Sequence, residues 1–293
     1  MSQRLDWSRD GADWPNRELS RFVETPRLRW HVQIGGSGPV ILLLHGTGAS
    51  THSWGPLLPH LTSRFTVVAP DLPGHAFTSM PNSDGLTLAG MARETTALMH
   101  KLALEPRLIV GHSAGAAVAI KTALDRGLAP STIVSINGAL VPFGTTVSRF
   151  FSPLAKMIAS APLLTNFFAW RAKDRKAVER VIEGTGSHLG SKELDYYWRL
   201  FRNPGHVEGA VKMMANWDLS SLDRELPSLA ARLALIAATG DSAVPPSVAI
   251  KIASLAPHAT VVTLTGAGHL AHEEKPTEVA NIIVNAADQT QCR

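Results

Sequence analysis

The 293-residue sequence lacks several features that would place it in a specialised class of protein. Its single cysteine, Cys292, has no partner for an internal disulfide, which fits a reducing compartment. Its most apolar long stretch, residues 150–170, is interrupted by lysine, proline and asparagine and is too broken for a membrane span. The first residues are charged throughout and have no apolar signal-peptide core. We therefore expect a protein that is neither exported nor embedded in a membrane.

The sequence also has no concentrated charge of one sign. Its 28 basic residues exceed the 24 acidic residues by only four, and they are scattered along the chain. This pattern argues against a nucleic-acid partner, which would favour a basic patch or stripe. The sequence has no zinc-ligand spacing, no phosphate-binding loop and no dinucleotide fingerprint. We therefore expect no metal and no cofactor.

What the sequence does contain is an alternation of short apolar runs with helix-like stretches. The strand-like runs are residues 28–34, 40–44, 65–69, 108–110, 132–136, 233–237 and 260–264, and the helix-like stretches include 86–102, 114–124 and 247–255. Continuous apolar runs are typical of parallel strands that are buried on both faces. The alternation predicts an α/β protein with a mostly parallel sheet that is covered by helices on both faces.

The alternation stops between about residues 141 and 217, where helical patterns and aromatic residues dominate. This break predicts a helical lid, residues 141–217, inserted into a core that consists of residues 1–140 and 218–293. Because the insertion follows one core strand and precedes the next, it is expected over the sheet edge where open α/β sheets bind ligands.

The segment Gly111-His112-Ser113-Ala114-Gly115 matches the pattern G-x-S-x-G, between a buried strand and a helix of small residues. A tight strand-to-helix turn exposes the central hydroxyl and leaves the following backbone amide free at a helix N-terminus. The segment therefore predicts that Ser113 is a nucleophile. The alternative is a glycine-rich turn with an ordinary serine.

A serine hydroxyl needs a base to take its proton, and the base needs a carboxylate to hold its tautomer. His269 follows the run 260–264 in a glycine-rich loop, and Asp241 follows the run 233–237. The order Ser113, Asp241, His269 is the order of an α/β-hydrolase triad. Asp241 has the alternative role of capping the helix that begins near residue 245. Asp71 and Asp218 are the fallback carboxylates.

Acyl transfer also needs hydrogen-bond donors for the developing oxyanion. His45-Gly46-Thr47-Gly48 follows the run 40–44, so the backbone amides of Thr47 and Ala114 are the predicted pair of donors. His45 is interpreted as a structural side chain that holds this loop. The alternative is a plain glycine turn.

The inserted segment is rich in aromatic and basic residues. The aromatic residues predicted to contact a large apolar ligand are Phe143, Phe151, Phe168, Trp170, Trp198 and Trp217. The segment holds eleven basic and six acidic residues, so its excess of five exceeds that of the whole chain. This charge favours an anionic group such as a porphyrin propionate or a lipid headgroup. The alternatives are that the aromatic residues form the lid's own core and that the charges are solvated surface.

With these motifs, the chain resembles the α/β-hydrolase superfamily over nearly its full length, through "VILLLHGTG", "VVAPDLPGH", "VGHSAG" and "GAGHLAHEEKP". The resemblance implies the roles given above to Ser113, Asp241 and His269, with Thr47 and Ala114 as oxyanion donors. One departure is Ala76, where the superfamily more often has glycine.

The tryptophan-rich start "LDWSRDGADWPNRELSRFVE", followed by "LRWHVQ" and "HGTGASTHSW", resembles a narrower family. That family is the magnesium-chelatase accessory hydrolases of bacteriochlorophyll biosynthesis. The resemblance implies a role in or near the insertion of magnesium into protoporphyrin, with magnesium-chelatase subunits as partners. It also implies a location in the cytoplasm or at the inner membrane face, with a peripheral membrane contact through the lid as a further hypothesis.

The sequence therefore supports two possible functions. In the first, the chain is a Ser-His-Asp hydrolase of an ester, thioester or amide with a bulky apolar part, accessory to magnesium insertion. In the second, it is a tetrapyrrole-binding carrier or chelatase-assisting protein in which hydrolysis is not central. Dehalogenation is disfavoured, because a serine rather than an aspartate occupies the nucleophile turn.

Overall fold

The computed structural model describes residues 3–141 and 174–288, and an eight-stranded sheet runs through them. The strands are β1 Ser20–Glu24, β2 Arg29–Gly35, β3 Val40–Leu44, β4 Thr66–Pro70, β5 Leu108–His112, β6 Thr132–Ile136, β7 Arg232–Ala238 and β8 Ala259–Leu264. They lie in the order β1-β2-β4-β3-β5-β6-β7-β8. β2 is antiparallel to β1 and β4, and the other neighbours are parallel. The expected α/β class with a mostly parallel sheet is confirmed.

Helices connect the strands and are numbered here in chain order within the described residues. They are α1 Trp7–Asp10, α2 Leu58–Leu61, α3 Leu88–Leu102, α4 Ala114–Leu124, α5 Arg175–Glu183, α6 Ser191–Phe201, α7 Pro204–Ala215, α8 Leu222–Glu225, α9 Ser247–Ala253, α10 Ala271–Glu274 and α11 Pro276–Asp288. Short 3₁₀ turns cover Arg17–Leu19, Thr51–Trp54, Ser83–Leu86 and Leu226–Ser228.

Hydrophobic cores lie on both faces of the sheet, because side chains alternate along each strand. In β3, Leu42 and Leu44 join the core that also contains α3, α4 and α9. Ile41 and Leu43 join the core on the other face, with side chains of α2 and α11. Burial on both faces explains why β3 is an unbroken apolar run, as the sequence predicts.

The two edges of the sheet differ from the sequence-based expectation. β1 has no counterpart among the predicted strands, because its sequence, Ser-Arg-Phe-Val-Glu, has no continuous apolar run. It pairs antiparallel to β2 with only partial burial. β8 matches the predicted run 260–264, but as the outer strand it leaves Thr260, Val261 and Thr263 exposed, unlike the central strands.

Helices α5, α6 and α7, called the inserted helices below, lie between β6 and β7 in the chain. Val178 and Ile182 of α5 pack with Tyr197 of α6 against Ala49 and Leu270. The inserted helices therefore contact the loops that follow β3 and β8. The division into a core and a lid at residues 141 and 217 stays a prediction. Phe143, Phe151, Phe168 and Trp170 lie outside the described residues.

The tryptophan-rich start of the chain joins the core to α6. The indole N–H of the buried Trp14 donates to Thr51 Oγ1 at 2.9 Å. The backbone carbonyl of Asp13 accepts from the Tyr196 hydroxyl at 2.9 Å, and its carboxylate forms an ion pair with Arg199. Through these contacts, the tryptophan-rich start holds α6 against the rest of the fold.

A buried polar network joins α6 to α10. The Tyr197 hydroxyl donates to Glu273 Oε1 at 2.6 Å, and the Ser53 hydroxyl lies 2.6 Å from the same oxygen. Ser53 Oγ also lies 2.7 Å from His272 Nε2. Burial raises the pKa of Glu273 to about 8 and lowers the pKa of His272 to about 3. At neutral pH both groups are therefore uncharged.

Substitution of Glu273 by glutamine tests this network. The folded protein holds the Glu273 proton up to about pH 8, while an unfolded chain releases it near the ordinary pKa of 4.5. Folding therefore binds a proton in this window, and the free energy of unfolding falls by up to about 1.4 kcal/mol for each pH unit of increase. In Glu273→Gln this contribution is absent, so the change in the free energy of unfolding per pH unit, measured by urea denaturation at pH 5 to 8, is more positive than in the wild type. Equal slopes for the two proteins would contradict a protonated, buried Glu273.

Candidate active site

Ser113 lies at the sharp turn between β5 and α4. Its backbone has φ 51° and ψ −118°, in a region that residues other than glycine rarely adopt. Glycines on either side allow the turn, since a Cβ on Gly111 would collide with the backbone of Ala116, and one on Gly115 with the carbonyl oxygen of Leu44. The side chain of Ser113 is partly accessible. The sequence therefore folds here into a strained turn that keeps this hydroxyl available.

Asp241 and His269 lie in the loops after β7 and β8 and form a hydrogen-bonded pair. His269 Nδ1 lies 2.8 Å from Asp241 Oδ2, and both residues are buried. The other carboxylate oxygen, Oδ1, accepts from the backbone amides of Ala243 and Val244, at 2.8 Å each. Asp241 therefore holds its own loop and also contacts the imidazole, but it does not cap α9, whose N-cap is Pro246 and which has no side-chain cap. With Nδ1 donating to the carboxylate, Nε2 of His269 is the ring nitrogen that can accept a proton.

Two further side chains hold the loop of His269, and sequence reasoning did not identify either role. Asn137 follows β6, and its Nδ2 donates to the carbonyl oxygens of Gly268 and His269, at 3.0 and 2.9 Å. Its Oδ1 accepts from the amide of Ala238 at 2.8 Å. His112 Nε2 lies 3.0 Å from the same His269 carbonyl oxygen. The backbone of His269 is thus tied to the ends of β5, β6 and β7.

Ser113 is not hydrogen-bonded to this pair within the described residues, although its chain neighbour His112 contacts His269. The ring of His112, its chain neighbour, lies 4.7 Å from the ring of His269, measured between centroids. Among the described residues, the Ser113 hydroxyl forms no hydrogen bond with the imidazole of His269. Catalytic hydrogen bonds are often long in unliganded enzymes and shorten in the reacting complex.

The two predicted oxyanion donors lie at the same edge of the sheet. Ala114 begins α4, and Thr47 lies in the loop after β3, which is hydrogen-bonded to β5. Within the described part of the chain, neither backbone amide donates to another residue. The Thr47 hydroxyl donates to Met213 Sδ of α7 at 3.5 Å. The loop therefore contacts an inserted helix and keeps its amide available.

His45 and Asp71 have structural surroundings. His45 Nδ1 donates to the Gly46 carbonyl at 2.8 Å, while Nε2 accepts from the Leu72 amide at 2.8 Å. Burial lowers the pKa of His45, so the ring is neutral and holds two loops together. Asp71 contacts His31 Nδ1 at 2.8 Å, away from His269. The other fallback carboxylate, Asp218, is exposed and accepts from a nearby backbone amide.

His206 of α7 joins the loops after β3 and β4, a role that the sequence did not signal. Its Nδ1 accepts from the Ala76 amide at 2.9 Å, and its Nε2 donates to the Gly48 carbonyl at 3.0 Å. Ala76 has a left-handed backbone with φ 38°, which explains why glycine is favoured at this position. Arg4 also donates to the Ala76 carbonyl. The loop therefore holds a strained alanine in place by hydrogen bonds from two distant segments.

The two described tryptophans among the predicted ligand contacts have different surroundings. Trp217 is half-buried and packs against the main hydrophobic core. Trp198 packs partly against the apolar cluster of α5 and α6, and the Arg202 guanidinium lies 4.2 Å from its ring centroid. Trp198 also lines a surface groove of about 400 Å³ whose described lining contains none of the three predicted triad residues. A ligand-binding role of either residue stays a prediction.

No group of three or more histidine, cysteine, aspartate or glutamate side chains within residues 3–141 and 174–288 is arranged to hold a metal ion. In the same ranges, none of the helices combines the length and apolar character needed to cross a bilayer.

Comparisons with known proteins agree with this geometry. The profile of the Alpha/beta hydrolase family matches residues 41–282. Over 280 residues the chain is 36% identical to the magnesium-chelatase 30 kDa subunit of Rhodobacter capsulatus, across 94% of this chain and 96% of that protein.

Two solved structures share the fold at low sequence identity. The epoxide hydrolase CorEH superposes with a TM-score of 0.79 at 21% identity, over 92% of this chain and 99% of that chain. A putative lipase from Acinetobacter baumannii AYE gives a TM-score of 0.78 at 18% identity, over 99% of both chains. At such low identity these likenesses establish the fold alone. The chain belongs to the α/β-hydrolase family and, within it, to the family that includes the Rhodobacter capsulatus magnesium-chelatase 30 kDa subunit.

Proposed function

We propose that the chain is a serine hydrolase that acts on an ester, thioester or amide with a bulky apolar part. The observation that carries the proposal is the hydrogen bond between His269 Nδ1 and Asp241 Oδ2, at the sheet edge that also bears the strained turn of Ser113. A carboxylate in this position holds the tautomer in which Nε2 is free to act as the base.

In the proposed reaction, Ser113 Oγ attacks the carbonyl carbon of the substrate while His269 Nε2 takes the hydroxyl proton. The carbonyl oxygen becomes an oxyanion that accepts hydrogen bonds from the amides of Thr47 and Ala114. Collapse of this intermediate breaks the bond to the leaving group, which receives the proton from His269. Water, deprotonated by His269, then attacks the acyl-enzyme and releases the acid and Ser113.

The proposed physiological setting comes from the relative named above. Because that relative is a magnesium-chelatase subunit, we propose that this chain assists magnesium insertion into a tetrapyrrole, with chelatase subunits as partners. The excess of basic residues in segment 141–217 supports an anionic apolar substrate such as a porphyrin carboxylate derivative.

A second candidate function, a tetrapyrrole carrier in which hydrolysis is not central, is favoured by the same relative and the same basic, aromatic segment. In this proposal the ring system binds against aromatic side chains and its carboxylates bind arginine or lysine.

A fluorophosphonate probe tests the nucleophile. The wild-type protein is expected to be labelled at Ser113, and Ser113→Ala is expected to remain unlabelled with an unchanged near-ultraviolet circular dichroism spectrum. Ser254→Ala, which changes an exposed serine, serves as the matched control and is labelled like the wild type. A folded wild-type protein that the probe does not modify would contradict the proposal.

Substitution of Asp241 by asparagine tests the role of the carboxylate. Oδ1 of the asparagine still accepts from the loop amides, but its Nδ2 donates toward His269 Nδ1 and favours a proton on Nε2. The rate of labelling should therefore fall by about 10³ to 10⁴. Asp218→Asn, at an exposed fallback carboxylate, should keep the wild-type rate. Similar rates for all three proteins would remove Asp241 from the mechanism.

A titration followed at the Soret band tests whether the protein binds a tetrapyrrole, as the second candidate function requires. Protoporphyrin and its magnesium complex are added separately to the wild type and to Ser113→Ala. If the protein is a carrier, micromolar ligand shifts the band equally in both proteins. No spectral change with either ligand would rule out the carrier.

A further inference from the structure

Three chain-distant glycines meet beside the pair of Asp241 and His269. Gly240 directly precedes Asp241, Gly268 directly precedes His269, and Gly186 lies in the loop between α5 and α6. A Cβ on Gly186 would collide with the Gly240 carbonyl oxygen, and a Cβ on Gly268 would collide with the Gly186 carbonyl. The inserted loop therefore packs backbone against backbone on both loops that carry the pair.

The same inserted loop forms hydrogen bonds with both loops. The carbonyl oxygen of Thr185 accepts from the amide of Ser242 at 3.1 Å and from the amide of His269 at 3.4 Å. The buried hydroxyl of Ser187 accepts from the amide of Leu270 at 2.8 Å. One carbonyl group thus bridges the residue after Asp241 and the backbone of His269 itself.

These contacts add to others that hold each loop. Gly240 N donates to the Ala267 carbonyl at 2.9 Å, which joins the two loops directly. The amides of Ala243 and Val244 fix Asp241 from its own loop, and Asn137 fixes the His269 carbonyl from the side of β6. The inserted loop, which lies between β6 and β7 in sequence, adds its own contacts to these.

We propose that segment 185–187 is a positioning element, which sets the distance between the Asp241 carboxylate and the His269 imidazole through the contact of Gly186, Gly240 and Gly268. An effect of this segment on catalysis rests on the proposed function. Its effect on the distance between Asp241 and His269 does not. Because the segment joins α5 to α6, a displacement of these helices changes the geometry of the pair.

Gly268→Ala is the direct test. The backbone of Gly268 is outside the left-handed region, so alanine can adopt it, but the added methyl group must push segment 185–187 away. The matched control is Gly190→Ala, because a Cβ there meets only the flexible end of the Glu193 side chain. Both proteins are labelled with ¹⁵N-histidine and compared with the wild type by NMR.

The expected result has a spectroscopic part and a kinetic part. In the wild type and in Gly190→Ala, the Nδ1–H proton of His269 gives a downfield resonance typical of a hydrogen bond to a carboxylate. In Gly268→Ala this resonance is lost or moves upfield, and the fluorophosphonate labelling rate falls by about tenfold to a hundredfold.

An unchanged resonance in a folded Gly268→Ala protein would overturn the inference, whatever the labelling rate. If Gly268→Ala does not fold, Ser187→Ala takes its place, because it removes the acceptor for the Leu270 amide without adding volume. Ser187→Ala should shift the resonance in the same direction. An unchanged resonance in a folded Ser187→Ala protein would also overturn the inference. A wild-type protein that shows the resonance but is never labelled would contradict the proposed function and leave the positioning role standing.

Discussion

The hydrogen bond between His269 and Asp241 is the contact on which the proposed chemistry depends. It joins the loops at the carboxyl ends of β7 and β8, which are neighbours in the sheet. The strained turn of Ser113 lies at the end of β5, two strands away from β7. The carboxyl ends of parallel strands lie at the same edge of a sheet. The strand order alone therefore brings these three chain-distant segments to one edge.

Because β8 is an edge strand, the loop that carries His269 receives little support from the sheet itself. β8 has a neighbouring strand on one side only, and its outward residues are exposed. The loop after β8 therefore depends on contacts from elsewhere, which come from Asn137 after β6, from His112 in β5 and from the inserted segment. Neutral, buried histidines such as His45 and His206 hold the neighbouring loops in the same way, by donating with one nitrogen and accepting with the other.

The sequence predicts most of the strands and places the three candidate triad residues after strands, because both features leave a local signal. An apolar run such as Val40–Leu44 reflects burial on both faces of a sheet, and the glycines around Ser113 reflect backbone contacts that exclude a Cβ. β1 has no such run, since it is an antiparallel edge strand with polar residues. The burial of Glu273 could not be predicted either, because its charged neighbours in "HEEKP" are typical of a solvated helix start.

The positioning contacts could not be predicted for a different reason. Thr185 and Gly186 act through backbone atoms, whose partners are set by the tertiary fold and not by residue type. Asn137 bonds to carbonyl groups more than a hundred residues away in the chain, and a lone asparagine after a strand is equally typical of a turn. Such contacts can be identified only from the three-dimensional arrangement of the loops.

Hydrolysis by the proposed route requires a covalent acyl intermediate on Ser113, formed with the help of Asp241 and His269. This requirement is tested most directly by mass spectrometry of protein quenched during turnover of an activated ester of a bulky apolar acid. One added acyl group is expected on the peptide that contains Ser113, and this adduct should decay faster in the wild type than in a variant lacking the His269 imidazole. A protein that hydrolyses the ester without an adduct, or that carries the acyl group on another residue, would contradict the proposed mechanism.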